Sequence, residues 1–141
     1  MSSGESGEIK EEEQGSKKRS AILVIDDDEQ LCDLTAEFLS GSGYRVYKAG
    51  SGEEALRLFS SHPQEIRLVI ADMGLVGMGG NEVLQKVRDI DPLIKTVAMS
   101  GFGGEEMLRE VRASHADIFI SKPFDPDNLL KVVNDFIGPP R

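Results

Sequence analysis

Several apolar runs in this chain end in a residue able to do chemistry. AILVI, residues 21–25, runs into Asp26, Asp27 and Asp28; RLVIAD ends in Asp72; IKTVAMS ends in Ser100; ADIFISK ends in Lys122, which Pro123 follows. Like charges at the end of a buried strand repel one another, and desolvation deepens the cost. Carboxylates gathered around a single lysine form a hard-oxygen site suited to a divalent cation. Mg²⁺ fits such a site, because it takes one or two carboxylates, keeps waters and accepts phosphate oxygens. A carboxylate beside that cation can attack a phosphoryl group and become an aspartyl-phosphate. A lysine and a hydroxyl such as Ser100 can then balance and bond the phosphoryl oxygens.

These groups meet only if the elements that carry them end side by side. Short apolar runs bounded by turn signals read as strands buried on both faces. Between them lie helical patterns. EQLCDLTAEFLS places Leu31, Leu34, Phe38 and Leu39 at helical spacing, and SGEEALRLFSS opens on Ser51 as an N-cap. NEVLQKVRDI has Asn81 in the capping position, EEMLREVRAS follows the GFGG loop, and DPDNLLKVVNDFI has Asp125 to cap it with Pro126 at its first position. With YRVYKA as a further strand, five strand–helix units alternate, which predicts a parallel sheet with helices on both faces. In such sheets ligands bind outside the carboxyl ends of the strands, so the aspartates, Ser100 and Lys122 are expected on one small patch.

The 141 residues fit one ordinary domain. A formal net charge of −9 argues against nonspecific binding to nucleic acid or to an anionic membrane. No apolar stretch reaches the ~20 residues of a membrane span, and the N-terminus has no apolar signal region. Cys32 is the single cysteine; it excludes an internal disulfide, favours a cytoplasmic setting, and reads as core filler on a helix. Residues 1–19 hold five acids, four bases and, after Met1, one aliphatic residue, Ile9. Such a segment reads as a disordered tail. The expected organisation is a tail over 1–19, a folded domain over 20–138 and a short end over 139–141.

In that order, the motifs ILVIDD, VIADM, VAMSG and FISKPF resemble those of receiver (response-regulator) domains of two-component signalling, and the resemblance covers the chain from about residue 20 onward. It implies a single doubly wound (βα)5 domain whose five-stranded parallel sheet has the flavodoxin/CheY-like order 2-1-3-4-5. It also implies that Asp72 is the phospho-acceptor. Asp26, Asp27, Asp72 and the backbone carbonyl of Gly74 would hold Mg²⁺, for which Mn²⁺ can substitute. Lys122 and Ser100 would bind the phosphoryl group, and Ser100 and Phe119 would form the switch. The Lys122–Pro123 bond would be cis. The implied partners are a histidine kinase or phosphotransfer protein as donor and a downstream protein of unknown identity. The loop after the acceptor departs from the usual MPGMDG-like phrasing: it reads LVGMGG, with Val76 where proline is common and Gly79 where a polar residue is common.

Plainer readings compete for several residues. Asp28 sits where a helix begins and serves its exposed N–H groups. Phe119 alternates with apolar neighbours, as a core residue also would. His62 and His115 lack metal-ligand spacing and read as surface residues. Two other functions are compatible with part of the pattern. Asp26-x-Asp28 superficially fits the nucleophile motif of haloacid-dehalogenase-type phosphatases, although Gln30 stands where Thr or Val is expected and Asp72 is left without a role. An inert receiver-like interaction module would have lost one of the acidic residues or the lysine, and this chain keeps them all.

Overall fold

The computed structural model describes residues 21–101, 105, 109 and 112–140. Strands β1 (Ala21–Ile25), β2 (Arg45–Ala49), β3 (Ile66–Asp72), β4 (Lys95–Ser100) and β5 (Ile118–Ser121) form one sheet in the order β2-β1-β3-β4-β5. Every neighbouring pair is parallel. Helices α1 (Glu29–Gly41), α2 (Gly52–Ser61), α3 (Gly80–Ile90) and α4 (Pro126–Ile137) cover it. This is the architecture expected from the alternation of strand and helix patterns. The expected tail over 1–19 lies outside the described residues. So does most of the helix expected over EEMLREVRAS, of which Glu105, Arg109, Arg112 and Ala113 are helical.

The central strands are apolar over Ala21–Ile25 of β1 and Leu68–Ala71 of β3 because both faces are covered there. Side chains alternate between two cores. Ala21, Leu23 and Ile25 of β1 join Val69 and Ala71 of β3 against Ala55 and Phe59 of α2 and Val83, Leu84 and Val87 of α3. On the other side Ile22, Val24, Leu68 and Ile70 meet Cys32 and Leu39 of α1 and Leu129 and Val133 of α4. Each fully buried aliphatic or aromatic side chain contributes about 1.5–3 kcal/mol relative to exposure, so these two layers hold the strand ends in register.

The helix starts follow local chemistry. Asp28 caps α1 by accepting from Leu31 N, Ser51 caps α2 by accepting from Glu54 N, and Asp125 caps α4, with Pro126 at its start. The start of α3 differs from the sequence expectation. Gly79 is the cap and Asn81 lies inside the first turn. The Asn81 amide instead bridges to the segment before β5, donating to Ala113 O at 2.7 Å and accepting from His115 N at 2.8 Å. Gly80 fixes where α3 begins: a Cβ there would stand 2.4 Å from the carbonyl oxygen of Asp72. Only glycine lets the helix approach the end of β3 this closely.

Two further expectations are corrected. Leu34 is 58% exposed, because α1 turns Cys32, Thr35, Ala36 and Leu39 to the core. Leu31, Leu34 and Phe38 instead line a groove of about 440 Å³ with Pro123, Phe124 and Pro126. His62 is half-buried rather than a free surface residue. Its ring stacks on Tyr47 at 4.4 Å between centroids, and its Nδ1 lies 3.4 Å from Glu65 Oε2.

Candidate functional site

The carboxyl ends of β1 and β3 bring Asp26, Asp27 and Asp72 together, with one carboxylate oxygen from each within 4.8 Å of the others. Parallel pairing of β1 with β3, ending at Ile25 opposite Ala71, sets Asp26 beside Asp72. Asp26 is only 6% exposed, and the side chain of Asp72 is 12% exposed. Asp27 is exposed at the rim. Asp28 is absent from the trio, because its oxygen is committed to the α1 cap. That removes the second aspartate which the phosphatase pattern needs.

Lys122 reaches this cluster from the end of β5. Its Nζ lies 3.0 Å from Asp72 Oδ1 and 3.3 Å from Asp26 Oδ2. The backbone helps to place it: Lys122 N donates to Ser100 O at 2.8 Å, and the Lys122–Pro123 peptide is cis. Among the described residues, three carboxylates around one ammonium leave two negative charges unbalanced.

The titration of Asp26 and of Lys122 reflects burial set against the neighbouring charges. Burial pushes the Asp26 carboxyl above its ordinary value, and the charge of Asp72 adds to the push. The Asp28 N–H, donating to Asp26 Oδ1 at 3.0 Å, and the Lys122 ammonium pull the other way without cancelling it. For Lys122, burial favours the neutral amine. The hydrogen bond to Asp72 and the charge of Asp26 outweigh it and hold the ammonium above its ordinary value.

The donor set is all oxygen, and it carries excess negative charge. It therefore fits a hard divalent cation, which would neutralise the excess and accept phosphate oxygens. Gly74, two residues beyond Asp72, faces the same carboxylate: a Cβ there would sit 3.7 Å from Asp72 Oδ2, in open van der Waals contact.

Ser100 ends β4 and is buried at 1% exposure. It pairs in register with Ser121, while Met99 pairs with Asp72. Phe119 pairs with Ala98 and packs, half-buried, against the α2–α3 side of the core. The sheet thus brings five of the sequence-identified groups, Asp26, Asp27, Asp72, Ser100 and Lys122, to one end, with Phe119 on the neighbouring strand. The sequence pattern does not show a second feature: Val76 N donates to Asp27 Oδ2 at 3.1 Å. A backbone donor leaves no trace in residue type, so the only available signal is that residue 76 is not proline.

A polar cluster lies at the opposite ends of β4 and β5. Arg88 Nη2 donates to Asp117 Oδ2 and to Thr96 Oγ1, each at 3.0 Å, and Thr96 N donates to Asp117 Oδ2 at 2.9 Å. Burial would raise the Asp117 carboxyl, but the Thr96 and Arg88 bonds overcome it and hold the group below its ordinary value. The cluster ties α3 to the far sheet edge and is remote from the carboxylates.

Comparison with known proteins agrees with this geometry. The profile of the response regulator receiver domain matches residues 22–134. The chain is 30% identical over 104 residues to sporulation initiation phosphotransferase F of Bacillus subtilis, covering 74% of this chain and 82% of that protein. It is 27% identical over 113 residues to response regulator SaeR of Staphylococcus epidermidis, covering 80% of this chain and 48% of that protein. The chain therefore spans about half the length of SaeR. Among solved structures, a response regulator receiver domain protein from Clostridium thermocellum superposes with a TM-score of 0.77 at 27% identity, over 84% of this chain and 94% of that one.

Proposed function

The chain belongs to the response regulator receiver domains, phospho-accepting signalling domains of two-component systems, and from that premise we propose that Asp72 is the phospho-acceptor. The donor is a phosphohistidine on a histidine kinase or phosphotransfer protein. A carboxylate oxygen of Asp72 attacks phosphorus in line with the P–N bond. That bond breaks, and its electron pair returns to the imidazole nitrogen, which takes up a proton. Asp72 is left as an acyl phosphate.

The chain's own residues bind and orient. Lys122 already touches Asp72 Oδ1, so its ammonium is in place to pair with a phosphoryl oxygen as negative charge builds there. Asp26, Asp27, Asp72 and the Gly74 carbonyl would hold Mg²⁺, or Mn²⁺ in its place. The cation supplies positive charge beside the phosphoryl oxygens and a template for in-line transfer. Ser100 donates its hydroxyl to a second phosphoryl oxygen, and Phe119 turns toward the space that this movement opens. A surface read by a downstream protein changes as a result.

The observation that carries this reading is the Lys122–Asp72 contact inside a trio of carboxylates. Incubation with acetyl phosphate and Mg²⁺ adds one phosphoryl group by intact mass, and the adduct is acid-stable and base-labile. Asp72→Asn abolishes it, and chelation of the metal suppresses it in the wild type. An adduct formed by Asp72→Asn at the wild-type rate sinks the assignment.

A further inference from the structure

Asp27 is the one exposed member of the carboxylate trio, and an exposed aspartate samples several rotamers unless something holds it. Asp26 is fixed by the Asp28 N–H and by Lys122, and Asp72 by Lys122. Asp27 is fixed from across the site. Val76 N donates to its Oδ2 at 3.1 Å, joining the end of β1 to the loop between β3 and α3 over 49 positions. The donor exists only because residue 76 is not proline, which has no N–H. Val76 itself is 81% exposed, so its own side chain does not anchor the backbone there; the buried Leu75 beside it carries the loop past the site. The loop turns back directly after it, at Gly77, with φ at +82°.

We propose that Val76 is a positioning residue for the metal: its backbone N–H holds the Asp27 carboxylate turned toward Asp26 and Asp72, so that a divalent cation meets a donor set already assembled. The inference rests on the metal site described under the proposed function. A carboxylate held by an N–H keeps its second oxygen and its remaining lone pairs for a cation, so the bond and the metal are compatible. Partners that orient a ligand raise affinity by removing the freedom that binding would otherwise have to freeze. The latch also couples the two ends: a loaded site restrains the β3–α3 loop, and a restrained loop favours loading.

The test compares wild type, Val76→Pro and Val76→Ala for Mg²⁺ binding, followed by amide chemical shifts with no phosphodonor present. Val76→Ala keeps the N–H and should bind within about twofold of wild type, whereas Val76→Pro loses it and should bind about tenfold more weakly. Equal affinity in Val76→Pro, or tighter binding, overturns the proposal, as does an equal loss in Val76→Ala. Because proline also restricts Leu75, amide hydrogen exchange of Val76 gives a second reading that leaves the loop sequence intact. Exchange at Val76 should be several-fold faster in Asp27→Ala than in wild type, and identical exchange overturns the latch. If wild type itself binds no Mg²⁺ at millimolar concentration, the metal site fails and the positioning role falls with it. Binding that is indifferent to Val76→Pro removes the positioning role alone.

Discussion

The Lys122 ammonium lies 3.0 Å from Oδ1 of Asp72, so the group proposed to receive a phosphoryl is already in contact with the group that would neutralise it. The same ammonium also balances Asp26. Removing Lys122 would therefore affect folding as well as chemistry.

For Lys122→Ala, the metal-free protein should lose about 1–3 kcal/mol at neutral pH, since two largely buried carboxylates are left without a counter-charge. Mg²⁺ should return most of that loss by binding the folded state only. In wild type the lysine's contribution is full below its unfolded pKa of 10.5 and is lost as pH rises through the higher folded value. Urea titrations at pH 7 and above 10.5 check both statements. A variant as stable as wild type at pH 7 without metal contradicts them.

Asp26→Asn should have the opposite effect on the metal-free protein. Burial holds the folded carboxyl above its unfolded value of 3.8, so the ionised group destabilises the fold. The penalty grows as pH rises from 3.8 through the folded value and is full above it. Asparagine keeps the oxygen that accepts from Asp28 N and removes the charge. The melting temperature without metal should rise by a few degrees at pH 7, and the Mg²⁺-dependent increase should shrink. Calorimetry with and without Mg²⁺ measures both, and an unchanged Mg²⁺ response argues against Asp26 as a ligand.

Asp117 behaves as an ordinary stabilising carboxylate. Its folded pKa lies below 3.8, so its contribution is present above pH 3.8 and disappears as pH falls through the folded value. Asp117→Asn should cost on the order of 1 kcal/mol, allowing for solvent screening of a one-third exposed group. It should leave Mg²⁺ affinity unchanged, because the cluster sits at the far end of β4 and β5. A change in Mg²⁺ affinity would show that the two ends of the sheet are coupled.

Gly74 should bear on the lifetime of the proposed acyl phosphate. Its missing Cβ would lie 3.7 Å from Asp72 Oδ2, so a polar side chain there could orient a water toward phosphorus, and glycine cannot. Slow self-dephosphorylation is expected, with Gly74→Asn several-fold faster after the donor is removed. Loss of phosphate at the wild-type rate in that variant removes Gly74 as a determinant. Phe102, two residues after Ser100, lies outside the described residues.

What could be read in the sequence follows from how local its cause is. AILVI and the LVIA within RLVIAD are apolar without interruption because both faces of their strands are covered, and the chemistry-bearing residues stand at their ends because a parallel sheet opens there. Asp28, Ser51 and Asp125 were legible as caps, since capping acts within three residues. Asn81 was not, because its partners Ala113 and His115 are more than thirty positions away and Gly79 takes the cap without a side chain. Leu34 fits a helical apolar stripe as well as Phe38 does. Which side of α1 faces the sheet depends on Cys32, Thr35, Ala36 and Leu39 fitting closely against it. His62 stacks on Tyr47 through a strand–loop contact that spacing does not encode. The Val76–Asp27 bond lies beyond residue-type reasoning altogether, because its donor is backbone.

Cys32 has a consequence of a practical kind. The chain's single thiol lies beneath the acidic site, its Sγ against the carbonyl oxygens of Val24 and Ala49. Burial, with the charges of Asp26 and Asp33, pushes its pKa to about 11. The folded protein should therefore be almost inert to a thiol reagent at pH 8, and labelling should proceed only when α1 lifts from β1. The wild-type chain thus carries its own clock: the rate at which Cys32 is labelled counts openings of the floor of the site, without any introduced probe.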